Sequence, residues 1–143
     1  MAKDQFTDAQ KEAIINAIKT AENNTSGEIQ VHIENHCTKD VMERAKEVFN
    51  NLKMYETAAR NGVLFYLAMK DHKFAILGDA GINAVVPPDF WENIKNQMRV
   101  HFKAGRFTEG LCEGIHMAGD KLKEHFPYQD DDRNELPDDI SFE

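Results

Sequence analysis

The sequence has no excess of basic residues. Seventeen Lys and Arg stand against 25 Asp and Glu, a formal charge of −8 over 143 residues. Nucleic acids and anionic membranes are bound through a Lys/Arg excess, so neither is an expected partner. Acidity by itself serves solubility more often than cation binding. Long apolar runs are absent too: no window approaches the roughly 20 apolar residues of a membrane span. The opening MAKDQFTDAQ carries no apolar signal core, which predicts a cytoplasmic protein rather than an exported one. Cysteine is scarce. Cys37 and Cys112 are far apart and fit no Cys-x-x-Cys pattern, so they read as two reduced thiols.

Several catalytic signatures are also missing. The six histidines, at 32, 36, 72, 101, 116 and 125, fall at no His-Glu-x-x-His spacing. There is no Gly-x-Ser-x-Gly elbow and no GxxxxGK[ST] phosphate loop. Cys112 lacks the Arg that a thiolate phosphatase places after five intervening residues, where this chain has Ala118. It shares a helical face with His116, an arrangement that lowers a thiol pKa, but a buried, inert cysteine is the simpler reading. No internal repeat is visible, and the length predicts one domain with a real core.

What is present centres on Arg60–Gly81, RNGVLFYLAMKDHKFAILGDAG. Val63–Met69 has neither charge nor alternation, the pattern of a strand buried on both faces. Lys70-Asp71-His72-Lys73 is a polar break of hairpin length without the Asn-Gly or Asp-Gly pair that favours a tight turn. Phe74–Leu77 returns as an antiparallel strand. Upstream, Thr7 and Gln10 form a capping box for a helix over about 8–22. Glu28–Glu34 alternates, with Ile29, Val31 and Ile33 on one face and Glu28, Gln30, His32 and Glu34 on the other. That polar face predicts a strand nearer the sheet edge. Val41, Ala45, Val48, Phe49 and Leu52 recur at helical spacing. Strand, helix, strand makes a crossover, so 28–34 and 63–69 should be parallel. Asp89-x-x-Glu92 is a second capping-box pattern, opening a helix over about 90–104, and Gly105 separates it from another over about 107–124. The expectation is a mixed α/β protein in the order α-β-α-β-β-α-α. Residues 1–126 form the domain, and the acidic 127–143 is a solvated, dispensable tail.

Strand direction carries a functional consequence. Two parallel strands start at the edge where an antiparallel third one ends. Glu28, the Arg60-Asn61-Gly62 turn, Asp79 and the 83–89 loop should therefore share one end of the sheet. Glu28, Asp79 and Asp89, with Asn61 and Asn83, supply hard oxygen donors that suit Ca²⁺ or Mg²⁺ rather than zinc or copper. The glycines beside Asp79 permit unusual backbone angles or close approach of a ligand. Three plainer readings stand beside this one. Asp89 is an N-cap, Glu28 is a strand-end charge, and Arg60 neutralises Glu28 or Asp79.

The segments GEIQVHIE (27–34), RNGVLFYL (60–67), FAILGDAGIN (74–83), VPPDFW (86–91) and FKAGRFTEGLCEGI (102–115) together resemble the TPM domain family. Members include thylakoid-lumen proteins of photosystem II repair, an auxiliary subunit of a nematode acetylcholine receptor, and many bacterial proteins. The resemblance spans roughly residues 7–125. It implies a three-layer α/β/α sandwich around a small mixed sheet, and divalent-cation binding in acidic loops at one sheet edge. By position it implies metal ligands at Glu28, Asp79, Asn83 and Asp89, where Asn83 replaces the Glu of many members and so weakens binding. Bacterial members often carry a signal peptide and a C-terminal membrane segment, and this chain shows neither pattern. Two functions follow as expectations. One is a divalent-cation-binding module whose metal shapes a surface for a protein partner. The other is a metal-dependent acid phosphatase, for which the sequence offers no committed nucleophile.

Overall fold

The computed structural model describes residues 2–127 and 139–143. Residues 28–34 (β1), 62–68 (β2), 73–78 (β3) and 140–142 (β4) form a four-stranded mixed sheet, in the order β3-β2-β1-β4, as the middle layer. Strand β1 (Glu28–Glu34) runs parallel to β2 (Gly62–Ala68), with Glu28 opposite Gly62 and Glu34 opposite Ala68. Strand β3 (Lys73–Gly78) is antiparallel to β2. Every residue of β2 is buried, as its unbroken apolar run predicts.

Helices cover both faces, as such a strand requires. Helix α1 (Asp8–Glu22), α4 (Phe90–Lys103) and α5 (Phe107–His125) pack on Ile29, Val31, Ile33, Val63, Phe65, Leu67 and Ile76. Helix α2 (Val41–Asn51) covers Leu64, Tyr66, Ala68 and Ala75 on the other face. The result is a three-layer α/β/α sandwich. The predicted capping box closes α1: Thr7 accepts from the Gln10 amide at 3.1 Å, and Gln10 accepts from the Thr7 amide at 2.8 Å. The α4–α5 junction turns at Gly105, whose φ of 77° lies in the left-handed region. The Arg106 amide bonds the His101 carbonyl at 2.9 Å beyond it, which completes a Schellman stop.

Two expectations are corrected. Strand β1 is interior, and its polar face is buried along its whole length, because a fourth strand flanks it and Arg44 of α2 reaches Glu34 at its end. That strand, β4 (Ile140–Phe142), belongs to the segment read as a solvated tail. It pairs parallel with Val31–Ile33. Ile140 is 8% exposed, and Phe142 packs on Phe6 with ring centroids 6.4 Å apart. The expectation for 128–138 lies outside the described residues. Among the described residues, no helix is long and apolar enough to cross a membrane.

Candidate cation site at one end of the sheet

The directions of β1, β2 and β3 bring Glu28, Asn61 and Asp79 to one end of the sheet. The Glu28 amide bonds the Asn61 carbonyl at 3.3 Å, and the Asp79 amide bonds the Gly62 carbonyl at 2.9 Å. Glu28 and Asp79 thus flank the start of β2 from either side, with backbones two strand spacings apart, roughly 10 Å.

Asp79 is the N-cap of a one-turn helix, α3 (Ala80–Asn83), and accepts from the Ala80 amide at 2.8 Å. Both of its oxygens also face the Arg60 guanidinium, Nε at 2.6 Å and Nη2 at 2.7 Å. Of the two side chains, Asp79 is 6% exposed and Arg60 51%. Arg60 itself sits at a φ of 51°. Pairing with Asp79 holds the Arg60 guanidinium even more firmly protonated than usual. The expected Arg60–Asp79 neutralisation is therefore present.

The glycines beside Asp79 serve packing, not unusual backbone angles. A Cβ on Gly78 would lie 2.4 Å from the Trp91 ring. One on Gly81 would lie 2.1 Å from the Ala59 carbonyl, and the Gly81 amide bonds the Arg60 carbonyl at 2.9 Å. Gly78 thus admits the Trp91 ring against β3, and Gly81 lets the Asp79 loop approach the Arg60 turn. Asn83 is held by two bonds: its Nδ2 donates to the Gly78 carbonyl at 2.8 Å, and its Oδ1 accepts from Trp91 Nε1 at 2.9 Å. Asp89 does not cap α4. Its φ of −94° and ψ of 5° depart from the extended backbone an N-cap requires, and its side chain makes no capping bond. Its carboxylate is exposed. Among the described residues, Glu28, Asp79 and Asp89 do not gather their oxygens within 4.8 Å of one another.

A second polar cluster was not foreseen from the sequence. His32, Glu34 and Tyr66 are buried between the sheet and α2. Arg44 reaches into the cluster from α2 and grips Glu34 through Nε at 2.9 Å and Nη2 at 2.8 Å. It also bonds Glu47 at 3.1 Å and Glu143 at 2.5 Å. The Tyr66 hydroxyl donates to Glu34. His32 bonds Ser141 Oγ through Nδ1 at 2.8 Å and Glu34 through Nε2 at 3.3 Å. Burial pushes the Glu34 carboxyl up, but bonds from Arg44, Tyr66 and His32 outweigh it and hold the pKa at about 2. Burial lowers the His32 pKa and, with Glu34 opposite, raises that of Tyr66. One signal was available. Arg44 falls three residues after Val41 and four before Val48, inside the apolar stripe of α2, and a charge there demands a buried partner.

His32 Nε2, Glu34 Oε1 and Glu143 Oε2 lie within 4.8 Å of one another, a spacing a metal ion accepts. Arg44 already fills that role. It is 19% exposed and shared by three carboxylates, so withdrawing it would strand buried negative charge. Arg60, by contrast, is half in water and is bonded through its side chain to one carboxylate.

The model of the TPM domain matches residues 2–121. The chain belongs to the TPM domain family. Among solved structures, this TPM domain is similar to the BA42 protein of the psychrophilic bacterium Bizionia argentinensis, with 48% identity and a TM-score of 0.91 over 96% of this chain and 95% of that one. The N-terminal domain of a P. gingivalis protein shares the fold at 19% identity, with a TM-score of 0.67 over 87% of this chain and 82% of that chain. The N-terminal domain of cg2496 from Corynebacterium glutamicum does so at 10% identity and a TM-score of 0.67, covering 96% and 80%. No curated protein matches the chain.

Proposed function

We propose that this TPM domain binds one divalent cation, Ca²⁺ or Mg²⁺, at the Asp79 end of the sheet and uses it to shape a surface for a protein partner. The observation that carries the reading is the guanidinium on Asp79. Two oxygens of a nearly buried carboxylate are aimed at a cation, and that cation is one that solvent can take back. A metal ion would replace Arg60 there. Asp79 would anchor it, with Asp89, the Asn83 carbonyl oxygen and Glu28 as the remaining protein donors. This donor set is all oxygen and suits hard ions. Tyr55, just before the Arg60 turn, and Val85, between Asn83 and Asp89, are exposed apolar residues near this end. They give a metal-ordered loop an apolar surface to present.

Binding ranks ahead of phosphate-ester hydrolysis. The groups that touch the Asp79 carboxylate are a guanidinium and a backbone amide, and neither is a nucleophile or a base at neutral pH.

Calorimetric titration with CaCl₂ and MgCl₂ tests the proposal. Few carboxylates and a competing Arg predict a Kd of roughly 10⁻⁵ to 10⁻³ M for the native chain. Arg60→Gln removes the competitor and should tighten binding, whereas Asp79→Asn should abolish it. If Arg60→Gln takes up no cation at millimolar concentration, Arg60–Asp79 is an ordinary ion pair and the proposal fails.

A further inference from the structure

The opposite end of the sheet carries a different kind of site. A cavity of about 240 Å³ opens between the start of β3 and the α4–α5 corner. Three half-buried phenyl rings form its walls. Phe74 and Phe102 meet edge to face, with centroids 4.9 Å apart, and Phe102 and Phe107 are tilted at 5.4 Å. His72, Arg99 and Lys103 stand at its mouth. Arg99 lies 5.7 Å from the Phe74 ring centroid and Lys95 lies 6.0 Å from it.

This combination runs against the rest of the molecule. The chain has a net charge of −8, yet the mouth of this cavity carries Arg99 and Lys103, with Lys95 beside it. Arg99 is tied to Glu92 and Asn96 through Nη1 alone, and Lys103 makes no ion pair among the described residues. The backbone is also strained at this point. His72 occupies the left-handed region, with a φ of 54°, in the turn between β2 and β3. A non-glycine residue there is uncommon and persists where the surroundings fix it.

We propose that this cavity binds a small aromatic carboxylate. The flat ring would enter among Phe74, Phe102 and Phe107 in the offset and edge-to-face arrangements such rings favour. The carboxylate would remain at the mouth, bonded by Lys103 and the free edge of the Arg99 guanidinium. The volume admits one or two fused rings. It is too small for a nucleotide and below the size of most drug-sized sites.

The probe is 2-naphthoate, titrated into the full chain and followed by NMR, with 2-naphthylmethanol as the uncharged counterpart. The expected result is saturable shifts at Phe74, Phe102 and Phe107. Lys103→Gln changes an exposed side chain and Arg99→Gln a half-buried one outside the core, and each should weaken naphthoate binding by about tenfold. Asp79→Asn, at the far end of the sheet, should leave naphthoate binding unchanged. Equal affinity for the alcohol and the carboxylate, or shifts that survive both substitutions, would overturn the proposal. So would shifts that do not saturate, which would mark the rings as part of the ordinary packed surface.

Discussion

Glu34 is the residue on which the buried side of the sheet turns. Its pKa of about 2 against an ordinary 4.5 means that the folded state favours the ionised form. The stability this represents, on the order of 3 kcal/mol, is present above about pH 4.5 and is lost as pH falls from there toward 2. His32 acts in the same direction at higher pH. Its lowered pKa favours the neutral ring, so stability begins to decline as pH drops below the ordinary value of 6.5. Denaturation curves should therefore show falling stability from about pH 6.5 that steepens below 4.5. Glu34→Gln should flatten the steeper limb while lowering stability at pH 7. Arg44→Met leaves Glu34 buried without its cation and should cost about 3–5 kcal/mol in the same assay at neutral pH. An unchanged denaturation midpoint in Arg44→Met would show that water, not Arg44, satisfies Glu34.

At the scale of elements, β4 is the feature that changes expectations most. Ile140 is buried, Phe142 meets Phe6, Ser141 bonds His32 and Glu143 bonds Arg44. Deleting residues 139–143 should cost about 2–3 kcal/mol, chiefly the burial of two apolar side chains. That corresponds to a fall in Tm of roughly 5–10 °C. A melting temperature within a degree of the full chain would mean that the docked strand contributes nothing. The physical reason it escaped the sequence is plain. Three residues after an acidic stretch carry no periodicity, and their partner strand lies more than a hundred positions away. The other strands were legible, because Val63–Met69 is uninterrupted and Glu28–Glu34 alternates. Yet the same alternation misled about exposure. A polar face solvated by water and one satisfied by Arg44, Tyr66 and Ser141 read alike until α2 and β4 are in place. The Asp79 end was legible from strand direction alone. The Arg60 bond was only one alternative among several, since spacing does not say which of two nearby carboxylates an arginine selects.

At the scale of the whole molecule, the sheet separates three environments. One end holds Asp79 paired with Arg60, the other holds the basic aromatic cavity, and the α2 face holds the Arg44 network that bonds β4. The central claim concerns the first of these, and a residue-by-residue NMR titration with Ca²⁺ tests it most directly. Shifts should concentrate at Glu28, Arg60–Gly62 and Asp79–Asp89. Asp71 should stay still, since His36 at 3.0 Å and the Cys37 amide at 2.6 Å already occupy its carboxylate. At a hundredfold excess over Kd the bound cation should also stabilise the fold by about 2.7 kcal/mol. Asp71→Ala should leave the shift pattern intact, and Asp79→Asn should erase it. Shifts confined to Asp71 and its neighbours, or to the acidic stretch after Pro127, would contradict a cation site at the Asp79 end of the sheet.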